Sequence, residues 1–206
     1  MSFFDYKTQV LEYARKGYRQ GLMAGTSGNL STLSPDGKIV ITPSGLDYMA
    51  MTADDVMVIE FDGTVVEGTR KPSSEWPMHA EIYKNMPEVR SIVHTHSPYA
   101  TAFAVINRPI PLVLVEMVYF LLGDVRVAPL ALQGTPEVGA GVVAALDGRG
   151  ACLMQNHGMV SIGKDLAQAF IRAEYTEDAA KICHMAMTIG EPIQIPQEMV
   201  RTMLSR

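Results

Sequence analysis

The sequence predicts an α/β fold in which helices pack on a mixed, partly antiparallel sheet. Two observations carry this. Helical periodicities alternate with short apolar strands along the chain, a pattern foreign to all-β and all-helical folds. The first four strands nonetheless come as hairpins, which excludes an all-parallel, doubly wound sheet. Length and composition agree. A chain of 206 residues, 48% hydrophobic and 19% charged, is ordinary for a globular protein and supports one sizeable core, expected as a single domain over residues 1–206.

Residues 3–22 read as an amphipathic helix. Val10, Ala14, Tyr18 and Leu22 recur four apart with Leu11 beside them, while Lys7, Arg15, Lys16 and Arg19 fill the other side. Gly21 and Gly25 end it. Residues 25–31 form a small-residue turn leading into a strand. Ser34-Pro35-Asp36-Gly37 is a hairpin turn, and residues 38–42 are the returning strand. A second small-residue turn follows in Thr42-Pro43-Ser44-Gly45. Residues 56–60 and 64–66 make another hairpin around Asp62-Gly63.

Ser73 or Ser74 is the expected N-cap of a helix running to about Asn85, with Pro87 beyond it. Residues 91–96 are a short apolar strand, and a helix is expected from Pro98 to Val105. Residues 113–122 are apolar and suit strand and helix equally. A short strand covers residues 125–128. Thr135 caps a further helix with Pro136 in its first turn. Residues 151–154 read as a buried strand and residues 159–162 as another. A long helix spans residues 165–189, and the tail from Glu191 is interrupted by prolines.

Several function classes drop out. The net charge is −5 with no basic stripe, so nucleic acid is not the expected partner. No apolar run reaches the 18 or so residues of a membrane span. Residues 1–7 lack the basic-then-apolar order of a secretory signal. Cys152 and Cys183 stand far apart in apolar contexts and read as reduced core thiols, so a cytoplasmic location is expected. An anionic substrate would have to be held by a local site, since the overall field is negative.

The chemistry concentrates around Ser91-Ile92-Val93-His94-Thr95-His96. Side chains alternate along a strand, so His94 and His96 share one face and can grip one divalent ion. Further donors are at hand in Glu75, within Lys71-Pro72-Ser73-Ser74-Glu75, and in His157, within Gln155-Asn156-His157-Gly158. Three turns offer hydroxyls and backbone N–H groups suited to an anion: Thr26-Ser27-Gly28-Asn29, Ser44-Gly45 and Ser73-Ser74. The third is also expected to be a helix N-terminus. It directly precedes Glu75, which would set a phosphate beside the metal. No Walker A or dinucleotide-binding glycine pattern occurs.

Taken in order, Gly-x-x-Gly-Asn29-x-Ser, Thr-Pro-Ser-Gly at 42–45, Pro-Ser-Ser-Glu at 72–75, His94-x-His96 and Asn156-His157-Gly158 resemble the class II aldolase/adducin family, over roughly residues 8–190. The likeness is greatest to its fuculose-1-phosphate aldolase branch. The resemblance implies a three-layer α/β/α fold around a mixed, mostly antiparallel sheet. It also implies a homotetramer with active sites between subunits, and one zinc (or Mn2+, Co2+, Fe2+) per site. His94, His96, His157 and, in the resting state, Glu75 would be the ligands. Asn29, Ser44, Gly45, Ser73 and Ser74, with Thr26 and Gly28 of the first turn, would hold the substrate phosphate. The implied reaction is cleavage of a ketose 1-phosphate to dihydroxyacetone phosphate and an aldehyde, with Glu75 as general acid/base.

One departure touches the aldehyde half. The branch places a proton-donating tyrosine after Asn107-Arg108-x-Ile110-Pro111, where this chain has Val115. Glu116 and Tyr119 are close enough to substitute, although Tyr119 also suits a core position among Val118, Phe120 and Leu121. A 5-deoxy or methylthio pentulose phosphate, with its less polar tail, suits Val115 and the apolar 112–122 stretch. His79 shares a helix face with Glu75 and reads first as a packing residue; His184 reads as non-functional. The competing readings are a 4-epimerase, whose branch carries Asp where Glu75 stands, a dehydratase or decarboxylase on a related sugar phosphate, and an adducin-like binding module, which would have lost the ligands.

Overall fold

A computed structural model of the chain describes residues 2–205. One eight-stranded sheet runs through it in the order β4-β3-β2-β1-β5-β8-β7-β6. The strands are β1 (Asn29–Leu33), β2 (Ile39–Ile41), β3 (Met57–Ile59), β4 (Val65–Glu67), β5 (Ser91–Thr95), β6 (Val127–Ala128), β7 (Ala151–Met154) and β8 (Gly158–Gly163). Every neighbouring pair is antiparallel except β6 and β7, so the sheet is mixed and mostly antiparallel. The helices are α1 (Phe3–Arg19), α2 (Trp76–Asn85), α3 (Pro98–Val105), α4 (Pro136–Leu146), α5 (Leu166–Ile189) and α6 (Gln197–Leu204).

Side-chain alternation divides the strands between two cores. Leu30, Val40, Val58, Val93, Leu153 and Met159 join the core beneath α1, α3 and α5. Leu33, Ile39, Ile41, Ile92, Val160 and Ile162 join the core beneath α2 and α4 on the opposite face. The result is the α/β/α sandwich expected of the sequence, with the central strands buried on both faces. The exposed edge strand β4 is short, carries Glu67 and meets β3 through a register shift, features that discourage pairing with another chain.

Several local expectations are corrected. The first helix stops at Arg19, because Gly17, Gln20 and the glycine at 21 (φ 74°) turn the chain back on itself. Lys7 is not on a solvated face: its stem is buried and its ammonium lies 2.6 Å from Glu67 on the edge strand. Neither Ser73 nor Ser74 caps α2. Glu75 occupies the cap position and Pro77 lies in the first turn, so the helix starts one or two residues late. Residues 117–121 form a single π-helical turn, closed by Leu122 in the left-handed region. The proline-rich tail ends in α6, an amphipathic helix that begins after Pro196.

Helix α3 follows the histidine strand immediately, and its N-terminus is held from across the fold. The Glu177 carboxylate of α5 accepts hydrogen bonds from the N–H groups of Tyr99 (2.9 Å) and Ala100 (2.8 Å). These are helix-start donors that have no partner within their own helix. Glu177→Ala is therefore expected to destabilise the protein by about 0.5–2 kcal/mol, read as a lowered urea midpoint at unchanged m-value, with Glu177→Gln losing less. An unchanged midpoint in the alanine variant would remove this tertiary cap.

Candidate metal centre and anion cleft

The site forms where three strand ends and the start of α2 meet. β1 and β5 pair so that Asn29 stands opposite His94, and β5 pairs with β8 so that His94 stands opposite Val160. His94 shares the face of Ile92, towards α2 and α4, and Asn29 shares the face of Leu33 on the same side. His157 arrives on the turn between β7 and β8, where Asn156 adopts a left-handed conformation (φ 56°). Gly158 is required by close approach: a Cβ there would run into the Thr95 carbonyl and touch the His96 and His94 rings at 3.0 and 3.3 Å. Gly28 (φ 82°) is similarly required, since a Cβ would meet the His94 carbonyl at 2.8 Å.

The three imidazoles surround one point. Ring centroids are 4.9 Å apart for His94 and His96, and 4.8 Å for each of the other two pairs. Glu75 closes the set, with Oε2 3.1 Å from His94 Nε2 and Oε1 3.3 Å from His157 Nε2. The four ligand atoms lie within 4.8 Å of one another. His94 Nδ1 donates to the Met159 carbonyl (2.9 Å), which turns the Nε2 lone pair inward, the usual arrangement behind a metal-binding histidine. That lone pair then faces His96 Nε2 at 3.0 Å and the Glu75 carboxylate.

These atoms leave one buried carboxylate oxygen unpaired. Glu75 Oε1 is buried without a hydrogen-bond partner, and a carboxylate in that state is costly. Without an ion, a proton on His94 takes its place: burial works against that proton, but the Glu75 carboxylate beside it outweighs burial and raises the His94 pKa. Burial likewise opposes the charge on Glu75, yet His94, His157 and the Asn29 amide hold its carboxyl far below the usual carboxylate range. His96 is pushed down to about 4 by burial and by the neighbouring His94 and His157. His157 is lowered for the same reasons. Three neutral imidazoles and one carboxylate are a donor set that fits a zinc-like divalent ion.

A cleft of about 170 Å³ opens beside the cluster, lined by Thr26, Gly28, Asn29, Ser44, Gly45, Ser73, Ser74, Glu75 and His96. All three small-residue turns predicted from sequence thus face one space, next to two of the four metal-cluster residues. The Tyr48 hydroxyl meets the carbonyls of Ser27 and Gly28 (3.0 and 2.7 Å) and braces the first turn. One detail of the anion reading is corrected. The N–H of Ser44 bonds the Lys71 carbonyl and that of Ser73 bonds the Thr42 carbonyl, so those two are spent on backbone pairing. Their hydroxyls are the donors left for a ligand. The third turn is also one step removed from its helix, which starts at Trp76.

Gln133 also lines this cleft, on the loop whose Gly134 packs against the Ser74 carbonyl. Sequence reasoning missed it, because a lone Gln in a loop before a helix carries no signal. Glu116 and Tyr119 are not brought to the cluster within this chain. Both are exposed on the segment around residues 117–121, and neither lines the cleft. Tyr119, 49% exposed, is not a core residue either; Met117, Val118 and Leu121 take the buried side of that turn. His79 is no mere packing residue: it is fully buried with both ring nitrogens hydrogen-bonded. His184 is exposed on α5 beside Tyr99.

The buried histidines make the metal-free protein sensitive to acid. Burial pushes His79 down to about 3, and His96 sits at about 4. Between those values and about 6.5 the unfolded chain binds protons that the native state refuses, so stability falls as the pH falls through this window. His94, raised by Glu75, works in the opposite direction and is outnumbered. Urea unfolding of chelator-treated protein is expected to show a steady loss of stability from pH 7 to 4.5, with a shallower slope in His79→Gln. Equal slopes in the two proteins would contradict the assignment of His79.

Comparison with known proteins agrees with this geometry. Residues 8–184 match the family described as Class II Aldolase and Adducin N-terminal domain. A 5-deoxy-D-ribulose 1-phosphate aldolase of Bacillus thuringiensis serovar kurstaki is 35% identical over 193 residues, covering 93% of this chain and 90% of that protein. A 5-methylthioribulose-1-phosphate/5-deoxyribulose-1-phosphate aldolase of Rhodospirillum rubrum is 36% identical over 197 residues, covering 96% and 88%. A solved L-fuculose 1-phosphate aldolase superposes with a TM-score of 0.92 at 37% identity, over 98% of this chain and 95% of that one. With the sandwich, the histidine cluster and the family match spanning most of its length, this chain belongs to the class II aldolase and adducin family.

Proposed function

We propose that this protein is a metal-dependent aldolase that cleaves a ketose 1-phosphate to dihydroxyacetone phosphate and an aldehyde. The observation that carries this reading is the opening of one cleft onto both Glu75 and His96 of the metal cluster and all three hydroxyl-bearing turns. The relatives named for 5-deoxyribulose, methylthioribulose and fuculose phosphates favour a ketose whose far end is weakly polar. Val115 in place of the branch tyrosine points the same way.

His94, His96 and His157 would hold the ion, with Glu75 as a fourth ligand in the resting state. Zinc is the ion this set suits best, with Mn2+, Co2+ or Fe2+ as alternatives. When bound, the ion supplies Lewis-acid stabilisation of the negative charge that develops beside the ketone. The chain's own residues supply the rest. Thr26, Gly28, Asn29, Ser44, Gly45, Ser73 and Ser74 bind the phosphate and fix the substrate's orientation, which lowers the entropic part of the barrier. Glu75 stands between that phosphate and the histidines and moves the proton at the carbon next to the ketone. Cleavage also requires a group to return a proton on the aldehyde side. Glu116 and Tyr119 serve there across a subunit contact, since both are exposed and neither faces its own chain's cleft.

A homotetramer with sites between subunits follows from the same reasoning. Val115, Tyr119 and Leu122 expose a patch of apolar surface beside Glu116 that a neighbouring copy would cover. A cytoplasmic location is supported by the two buried free thiols. No helix among the described residues is long and apolar enough to cross a membrane.

Two measurements test the reading. Glu75→Gln is expected to keep most of its metal on three histidines and to lose about 10²–10⁴-fold in turnover, the usual worth of a general acid/base. Wild type is expected to exchange one C3 proton of dihydroxyacetone phosphate with D₂O, followed by NMR, and Glu75→Gln is not. A metal-loaded wild type with neither exchange nor cleavage of any ketose 1-phosphate tested would replace this reading with a dehydratase or decarboxylase. Separately, inorganic phosphate should inhibit wild type competitively and Ser44→Ala or Ser73→Ala more weakly. Absence of phosphate inhibition in wild type would remove the anion cleft from the mechanism.

A further inference from the structure

Behind Glu75 runs a line of buried polar groups that meets the cleft only at Asn29 and the metal cluster only at Glu75. Asn29 Nδ2 donates to Glu75 Oε2 at 2.8 Å, and Asn29 Oδ1 meets His79 Nε2 at 2.5 Å. His79 Nδ1 lies 2.6 Å from Ser31 Oγ, which lies 2.7 Å from the Tyr83 hydroxyl. Asn29, Ser31, His79 and Tyr83 are all buried. The fold makes this line possible because Asn29 and Ser31 sit two apart on β1 and so share the face covered by α2. Glu75, His79 and Tyr83 are spaced by four and form a stripe at the start of and along α2.

With a neutral His79 ring, one arrangement of protons satisfies every contact. A carboxylate accepts and cannot donate, so Asn29 must present its amino group to Glu75 and its carbonyl oxygen to His79. That oxygen also only accepts, so His79 carries its proton on Nε2. Nδ1 is then a lone pair, and Ser31 donates to it. Ser31 Oγ in turn accepts from Tyr83. Each step forces the next, and the amide of Asn29 cannot flip without breaking two bonds at once.

We propose that His79, backed by Ser31 and Tyr83, is a positioning residue that locks the Asn29 amide and thereby pins Glu75 by Oε2, leaving Oε1 as the oxygen free for the ion and for proton transfer. Of the two Glu75 oxygens, Oε1 is the one buried with no hydrogen-bond partner, and it faces His157 at 3.3 Å, as this division of labour requires. Burial keeps the His79 ring neutral, at a pKa of about 3, so the tautomer does not change over the pH range in which an enzyme works. The catalytic consequence rests on the aldolase reading; the tautomer and its effect on metal binding do not.

Two substitutions separate positioning from packing. Gln places a nitrogen where His79 Nε2 stands and can still donate to Asn29. Asn reaches only the Nδ1 position and cannot. His79→Gln is expected to stay within about threefold of wild type in zinc affinity, measured by chelator competition, and in turnover, whereas His79→Asn loses about 10–100-fold in one or both, the range for partners behind metal ligands. Equal losses in the pair, or the reverse order, would overturn the proposal. The tautomer is read on the wild-type, zinc-loaded protein by two-bond ¹H–¹⁵N correlation of its imidazoles. A proton on His79 Nε2 from pH 6 to 8 is the expected result, and a proton on Nδ1 would overturn the proposal without any variant. Were wild type to cleave no sugar phosphate, the aldolase reading would fall, and the zinc affinities and the tautomer would still decide this one.

Discussion

The site depends on one buried carboxylate. Glu75 is 4% exposed, so its charge is expensive unless something nearby compensates it. His94 and the Asn29 amide meet its Oε2, His157 meets its Oε1, and His96 completes the cluster. Two of the imidazoles are poor compensation, because burial and the neighbouring His94 lower His96 and His157; His94 alone is raised, by Glu75 itself. A divalent ion would resolve the conflict, since it would neutralise the carboxylate and needs neutral ring nitrogens. The same tension that destabilises an empty site would then become the affinity of a filled one.

Holding four such side chains together is a matter of sheet register. His94 lies on a central strand between β1 and β8, and both neighbours contribute. β1 brings Asn29 opposite it, while β8 brings the Met159 carbonyl that orients its ring and, at its start, the turn carrying His157. A slip of one residue in either pairing would turn these groups to the opposite core. Gly28 and Gly158 are where the backbones come too close to His94 and Thr95 for any side chain. The rigidity of the centre thus comes from strands buried on both faces, and the small-residue turns of the cleft are loops fastened to their ends.

The cleft divides labour between rigid and adjustable parts. Ser44 and Ser73 have their N–H groups tied into backbone pairing, which fixes the main chain that carries their hydroxyls. Tyr48 fastens the first turn in the same way. Gln133 sits on an exposed loop without such bonds among those described, and lines the same cleft.

Much of this was legible in the sequence because it is written in local patterns. The hairpins at 34–37 and 62–63, the alternation across 91–96 that put His94 and His96 on one face, the small-residue turns and Glu75 beside the third of them all depend on residues a few positions apart. So did the prediction of helices over strands. Long-range pairing decided what remained. The register of Asn29 against His94, the loss of the Ser44 and Ser73 N–H groups to Lys71 and Thr42, and the capping of α3 by Glu177 join residues far apart in the chain. His79 looked like helix packing because its partners, Asn29 and Ser31, lie some fifty positions away on β1. The apolar 113–122 segment showed no periodicity that could choose between strand and helix, and only packing against α5 set Met117, Val118 and Leu121 inward and left Tyr119 outside. Periodicity is a property of neighbours in sequence; hydrogen-bond ownership is a property of neighbours in space, and only the folded structure assigns it.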